Sequence, residues 1–161
     1  TAGDYKNIVG IGNAKATALI SLAELCKRIK SYKSGDDYKI LSPKDVADLL
    51  MEEMRYLKKE YLKVILLNTK NIVLTIKDVS IGSLNSSIVH PREVFTYAVR
   101  ESSASIIICH NHPSGDPSPS EEDINITRRL CESGKILGIE LLDHIIIGDG
   151  IFVSLKEKGI I

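Results

Sequence analysis

The sequence predicts a mixed α/β or α+β domain preceded by a small helical segment. Stretches of helix-forming residues with capping signals alternate with short apolar runs rich in β-branched residues. Two pairs of these runs are joined by short turns, which is typical of hairpins. A polar stretch, 31–39, follows the first helical stretch. We therefore expect a helical segment over residues 1–38 and a separate domain over residues 39–161.

The composition is that of a folded globular protein. The chain has 161 residues, of which 43% are hydrophobic and 26% are charged, and these values exclude fibrous and disordered classes. No apolar run is long enough to cross a bilayer and no secretory segment opens the chain, so we expect a cytoplasmic protein. Three cysteines without a Cys-x-x-Cys pair indicate free thiols rather than disulfides or a cysteine zinc site.

Positive and negative charges balance over the whole chain, with 21 Lys and Arg against 21 Asp and Glu. They are unevenly distributed, because residues 1–39 carry a net charge of +3 and residues 40–161 a net charge of −3. We expect a small basic piece before a mildly acidic domain. A balanced chain has no general attraction to nucleic acid.

The first two predicted helices lie on either side of the polar stretch. Residues 14–29 are rich in Ala, Leu, Lys and Glu, which are good helix formers, and they follow a tight turn at residues 10–12. The second helix covers residues 42–57. It begins with a Ser cap, has Pro43 at its first position and has Asp45 where a capping-box acid belongs.

Two further helices lie in the second half of the chain. The third covers residues 91–103 and begins with a proline. The fourth covers residues 118–136, where Ser118, Pro119 and Glu121 fit the cap, first-position and box offsets.

Short apolar runs predict the strands, which are residues 61–67, 72–76, 79–84, 105–109, 141–147 and 151–155. The turn at 68–71 joins the first pair as a hairpin, and the turn at 148–150 joins the last pair. Helices and hairpins that alternate in this way indicate the mixed fold class.

A cluster of potential metal ligands lies at the end of one buried strand. His110 and His112 are two residues apart, so in extended chain their imidazoles point to one side. Asp123 follows in the first turns of the fourth helix. Two imidazoles and a carboxylate suit Zn²⁺, and three protein ligands leave a position for water, as in catalytic zinc sites. Hydrogen-bonded histidines beside a loop and an acidic residue at a helix N-terminus would have the same spacing, so both interpretations stay open.

A longer motif contains these three residues. Residues 110–123 match the JAMM motif, which is a His-x-His, a seven-residue gap, a Ser, two residues and an Asp. Together with residues 90–93 and 142–148, this stretch resembles the RadC family of bacterial proteins. The resemblance covers residues 40–161 as a JAB/MPN-type domain, a mixed sheet flanked by helices. It extends into residues 8–30, which are similar to the N-terminal segment of that family.

The resemblance implies a zinc-dependent hydrolase with one Zn²⁺ per chain, bound by His110, His112 and Asp123. It also implies that Glu60 holds and deprotonates the zinc-bound water and later passes the proton to the leaving amine. Ser120 would donate a hydrogen bond to the developing oxyanion. Zinc would lower the pKa of its water and polarise the scissile carbonyl.

Other acidic residues are alternatives to Glu60. The sequence places Glu60 at the start of the strand 61–67. The alternative interpretation is that Glu60 is a solvent-exposed residue at the end of a helix and has no role in the reaction. Glu52 and Glu53 lie in the amphipathic helix 42–57, and we expect them to face water.

Four more residues near the motif suit structural roles. We expect His144 to be a satisfied core histidine rather than a partner of the zinc ligands, and His90 to be a helix cap rather than a ligand. Cys109 alternates away from the histidines and should point into the core. Asn111 faces the same way and should brace a loop.

The leading hypothesis is a JAMM-type metallopeptidase that cleaves an amide or isopeptide bond in a peptide or protein substrate. The RadC resemblance implies an association with DNA repair. The alternative is a DNA-associated binding module in which the zinc domain is mainly a scaffold. The turn at 10–12 resembles a helix-hairpin-helix element that would hold a DNA phosphate near Lys15. A homo-oligomer is compatible with either hypothesis.

The complete set of five motif residues favours the enzyme, because a scaffold does not need all of them. A nuclease of the His-Asn-His type is excluded, since such nucleases space these residues far apart and need a basic surface. A zinc deaminase is excluded because its Pro-Cys-x-x-Cys element is absent.

Overall fold

The computed structural model describes residues 8, 11–31, 38–82 and 89–161. The chain forms two compact units, residues 1–35 and residues 36–161. The described part of the first unit is mainly one helix, α1 (Asn13–Ser31). The predicted turn at 10–12 begins outside the described residues, and so does most of the predicted linker 31–39, so the domain boundary stays a prediction. None of the helices in the described ranges is long and apolar enough to cross a membrane.

The described part of the second unit contains three helices and one five-stranded sheet. The helices are α2 (Pro43–Met54), α3 (Pro91–Arg100) and α4 (Glu121–Leu137). The strands are β1 (Tyr61–Leu67), β2 (Val73–Ile81), β3 (Ser105–Asn111), β4 (Glu140–Ile147) and β5 (Phe152–Ser154). Their order is β2-β1-β3-β4-β5, with β3 and β4 parallel and every other neighbouring pair antiparallel. The predicted mixed α/β class is confirmed.

Helices cover both faces of the sheet. The core that includes α2 contains Ile40, Val46, Leu50, Met54, Ile65, Leu67, Ile107, Cys109, Ile145 and Ile147. The core that includes α3 and α4 contains Leu62, Val64, Leu66, Val89, Val94, Phe95, Ala98, Ile106, Ile108, Ile126, Leu130, Ile139 and Leu141. The central strand β3 is therefore buried on both faces, which explains the apolar run over residues 106–109.

The alternation of side chains along β3 directs His110 towards α4. Ile106 and Ile108 belong to the core that includes α3 and α4, whereas Ile107 and Cys109 belong to the core that includes α2. His110 follows two residues after Ile108, so it faces the same side. The prediction that Cys109 points into the core is confirmed, since this residue is fully buried.

A shift of register in β4 brings His144 to the same face of the sheet. Ile106 pairs with Leu141, but Ile107 pairs with Asp143, so one extra residue lies in β4 between these pairs. Beyond this irregularity Ile108 pairs with His144. Because a shift of one residue exchanges the two faces of a strand, the extra residue turns His144 rather than Asp143 towards α4.

Two helix starts agree with the sequence prediction. Ser42 is the N-cap of α2, Pro43 is its first residue, and the Ser42 N–H donates to the Asp45 carboxylate at 2.8 Å. At the start of α3, His90 Nδ1 accepts a hydrogen bond from the Arg92 N–H at 3.1 Å. The interpretation of His90 as a helix cap is confirmed.

The predicted start of α4 is wrong by two residues. Ser120, not Ser118, is the N-cap, and Asp123, not Glu121, is the box acid. Both the N–H and the hydroxyl of Ser120 donate to Asp123 Oδ2, at 2.8 and 2.7 Å. The two cap patterns overlap, and the one closed by Asp123 is the one that forms.

The two predicted strands 72–76 and 79–84 are in fact one strand, β2, and the end of the second stretch lies outside the described residues. The polar residues between them suggested an interruption. Because β2 is at the edge of the sheet, polar side chains are tolerated there, and Asp78 forms an ion pair with Lys63 of β1.

Helix α4 packs against the core through buried apolar residues that include Ile126 and Leu130. Removing part of such a side chain should therefore destabilise the protein. Leu130→Ala should lower the free energy of unfolding by about 2–5 kcal/mol, since Leu130 is fully buried and its truncation leaves a cavity. Ile136→Ala is the control on the same helix, where the residue is 87% exposed and the change should stay within about 0.5 kcal/mol. Urea unfolding followed by circular dichroism measures both, and equal effects would contradict this packing.

Candidate metal centre

Three side chains converge where the end of β3 meets the start of α4. His110 lies in β3 and His112 directly beyond it, and their Nε2 atoms are 2.9 Å apart. Asp123 Oδ1 is 3.2 Å from His110 Nε2, and Asp123 Oδ2 is 3.4 Å from His112 Nε2. One ligand atom from each residue can be chosen so that all three lie within 4.8 Å of one another. Within the described ranges this is the one such group, and it could hold a metal ion.

The cluster is closed on one side and open on the other. His110 is fully buried and the Asp123 side chain is 3% exposed, whereas the His112 side chain is 15% exposed. A cavity of about 280 Å³ lies at this open side, lined by Glu60, His112, Pro113, Ser114, Ser120, Glu122 and Asp123. Glu122 is a cavity residue that the sequence motif did not single out. A larger cavity, of about 670 Å³, lies near the end of α4 and contains none of the cluster.

The hydrogen bonds of His112 prepare it to bind a cation. Its Nδ1 is 2.8 Å from the carbonyl oxygen of Asp116, and a carbonyl only accepts, so this nitrogen carries the proton. Neutral His112 therefore turns an unprotonated Nε2 towards the carboxylate of Asp123. A ring nitrogen and a carboxylate that both accept hydrogen bonds face each other, and a cation between them is stabilising. Two imidazoles and one carboxylate fit zinc.

The electrostatics also favour a positive charge at this point. A hydrogen bond to Asp123, which His112 can donate only when its ring is also protonated on Nε2, raises the pKa of His112. Burial acts to raise the pKa of Asp123, but its contacts with His112, His110 and Ser120 hold this pKa well below its usual range. Burial lowers the pKa of His110 far below its ordinary value. An ionised carboxylate and a neutral imidazole are the forms that bind metals.

Ser120 orients the carboxylate of Asp123. Its N–H and hydroxyl both bind Oδ2, and its oxygen accepts from the Asp123 N–H at 3.2 Å. These bonds close the capping box of α4 and leave Oδ1 directed at His110. The predicted role of Ser120 as an oxyanion donor stays a prediction.

Asn111 fixes the segment that carries Glu60. Its Oδ1 accepts from the Tyr61 N–H at 2.9 Å, and its Nδ2 donates to the Lys59 carbonyl at 3.1 Å. These two backbone groups are on either side of Glu60. Asn111 therefore braces a loop, as expected, and the loop is the one that brings Glu60 to the cavity.

The alternatives to Glu60 lie elsewhere. Glu53 forms an ion pair with Lys63 at 2.9 Å, and Glu52 lies 3.6 Å from Arg55. In the part of the chain that the structure describes, neither of them lines the cavity beside the histidines, whereas Glu60 does. The negative charge of Glu60 also contributes to the raised pKa of the cluster's more exposed histidine.

Two residues that the sequence did not connect with the site lie behind His110. His144 Nε2 is 2.7 Å from His110 Nδ1, and His144 Nδ1 is 2.6 Å from Thr127 Oγ1. His144 is buried and hydrogen-bonded, as expected. The expectation that His144 is not a partner of the cluster was wrong, because it contacts His110 directly. The irregular register of β4 hid this proximity from the sequence pattern.

The loop after His112 is held against the turn between β4 and β5. The Asp149 N–H donates to the Gly115 carbonyl at 2.9 Å. A Cβ atom at Gly148 would lie 2.2 Å from the Gly115 carbonyl oxygen, so only glycine allows this approach. The approach fixes the loop whose Asp116 carbonyl accepts from His112.

Comparison with known proteins agrees with this architecture. Residues 40–160 match the family described as RadC-like JAB domain. A UPF0758 protein of Clostridium kluyveri is 66% identical over 158 residues, which are 98% of this chain and 69% of that protein. A UPF0758 protein of Clostridium tetani is 65% identical over 159 residues, or 99% and 70% of the two chains. One of Clostridium novyi is 64% identical over 161 residues, or 100% and 71%. The suspected family is confirmed, and this chain belongs to the RadC-like JAB domains.

Proposed function

We propose that this chain is a zinc-dependent hydrolase of the JAMM type that cleaves an amide or isopeptide bond in a peptide or protein. The observation that supports it most is the meeting of a possible metal cluster and an acidic side chain at one cavity. His110, His112 and Asp123 form the cluster, and Glu60 lines the open side. A purely structural metal site needs neither an open side nor a nearby acidic residue.

The three cluster residues would hold the cation, and the cavity would admit the reacting bond. Bound zinc would supply Lewis-acid chemistry there, since it polarises a carbonyl and lowers the pKa of water towards about 7. The cavity, of about 280 Å³, is near the lower end of ligand-pocket volumes. It is large enough for the scissile bond and its neighbours, so the remainder of a protein substrate would stay outside.

Proton transfer would be the task of Glu60. Glu60 lines the cavity but is not a member of the cluster, and this is the placement that a general base beside the reacting water would have. It would accept a proton from water and donate it to the nitrogen of the leaving amine. Ser120 lies at the same cavity, and its hydroxyl would turn from Asp123 to the oxyanion as negative charge develops.

A library of linear and isopeptide-linked peptides tests the proposed activity. We expect hydrolysis by the zinc-loaded protein, loss of hydrolysis after chelation, and recovery when zinc is restored. A zinc-loaded protein that cleaves no member would contradict the hydrolase and favour a DNA-associated scaffold.

Metal content tests the ligand assignment independently of any substrate. Protein purified without chelator should contain about one zinc per chain by elemental analysis. Asp123→Ala should lose most of this zinc, because the only carboxylate of the cluster is removed. Glu121→Gln changes an exposed acidic residue in the same helical turn and should keep the metal. Full zinc content in Asp123→Ala would refute the assignment.

Two matched substitutions test the general base. Glu60→Gln preserves size and removes basicity, so kcat should fall by about 10²-fold or more while zinc content is unchanged. Glu122→Gln alters another acidic residue of the same cavity and should have little effect. A lower kcat for Glu122→Gln together with an unchanged kcat for Glu60→Gln would assign the role of general base to Glu122.

A further inference from the structure

We infer that Thr127 and His144 are positioning residues that hold His110 in one tautomer, with the proton on Nδ1 and a free electron pair on Nε2. This inference deepens the proposed metal centre and rests on it. Neither residue belongs to the cluster that could hold the metal. They would act on His110 through two successive hydrogen bonds. In each bond, the proton that one partner already uses elsewhere decides which partner donates.

The first group in this series of hydrogen bonds is the hydroxyl of Thr127, which has a single proton to donate. Thr127 Oγ1 is 2.5 Å from the backbone carbonyl oxygen of Asp123, which can only accept. The proton of Thr127 is therefore used in this bond. The contact of 2.6 Å between Thr127 Oγ1 and His144 Nδ1 must then be donated by the histidine. His144 consequently carries a proton on Nδ1.

The hydrogen bond between His144 and His110 then decides which nitrogen of His110 carries the proton. His144 is completely buried, and burying a charged imidazolium is costly, so the ring is neutral and its Nε2 has no proton. That nitrogen is 2.7 Å from His110 Nδ1. His110 Nδ1 must be the donor, and a neutral His110 then has an unprotonated Nε2. This is the nitrogen that faces His112 and Asp123.

These hydrogen bonds, from Thr127 through His144 to His110, form a relay that begins and ends at Asp123. The backbone oxygen of Asp123 accepts from Thr127, and its carboxylate lies beside the Nε2 atom of His110. Thr127, His144 and His110 are fully buried, and Asp123 is 2% exposed. Water cannot easily replace any of these partners, so each proton position constrains the next.

The two histidines of the cluster thus reach the same tautomer by different routes. His112 donates directly to the Asp116 carbonyl in an exposed loop. His110 faces β4 inside the protein, where its Nδ1 contacts a side chain instead of a backbone carbonyl. Thr127 supplies the missing connection to a carbonyl. Without its hydroxyl, His144 could carry its proton on Nε2 and donate to His110, which would move the proton of His110 onto its metal-binding nitrogen.

Two substitutions at Thr127 separate this role from packing. Thr127→Val keeps the shape of the side chain and removes the hydroxyl, whereas Thr127→Ser keeps the hydroxyl. The chain has four histidines, so ¹⁵N-histidine NMR can assign each tautomer. In metal-free wild type we expect His110 protonated on Nδ1. Thr127→Val should show a population protonated on Nε2, and Thr127→Ser should restore the wild-type pattern.

Zinc affinity, measured by competition with a chromophoric chelator, provides a second readout. Thr127→Val should bind zinc about 10- to 100-fold more weakly, the range for losing a partner that orients a metal ligand. Thr127→Ser should bind as wild type does. Circular dichroism of each variant establishes that it is folded.

Two results would overturn the relay. One is a wild-type His110 protonated on Nε2, which decides the matter even if Thr127→Val does not fold. The other is a folded Thr127→Val with wild-type tautomers and zinc affinity. Zinc binding without peptide hydrolysis would contradict the proposed enzyme and leave these measurements unaffected, so the two failures are distinguishable.

Discussion

The capping box at the start of α4 is the interaction on which the centre depends. Asp123 caps the start of the helix, because its carboxylate accepts from the N–H and hydroxyl of Ser120. The same bonds occupy one carboxylate oxygen and direct the other at His110. An ordinary device of helix formation therefore also sets the position of a possible metal ligand. The helix and the cluster cannot be altered separately at this residue.

The sheet supplies the other half of the centre. Strand β3 is buried on both faces, and its alternation directs His110 at α4 and Cys109 at α2. The parallel neighbour β4 then places His144 beside His110. Because apolar cores flank the sheet on both sides, the polar residues of the centre are enclosed by apolar packing.

Local patterns were sufficient to predict much of this arrangement. A two-residue spacing at a strand end predicts that His110 and His112 share a side, and a capping pattern predicts that Asp123 lies early in a helix. The register of β4 could not be predicted in this way, because one extra residue reverses the faces and nothing in an apolar run marks it. The partnership of His144 with His110 was missed for that reason. The shifted start of α4 reflects two overlapping cap patterns, of which Asp123 selects the later.

Asn111 adds a consequence for the readiness of the site. It lies between the two histidines, and its amide binds the backbone on both sides of Glu60. A displacement of the end of β3 would therefore also displace the backbone next to Glu60. In the proposed hydrolase, the general base and the cluster would therefore be held near one another before a substrate arrives. For these two elements such a site would need little reorganisation during a reaction, which is the condition under which fixed charges and dipoles lower a barrier most effectively.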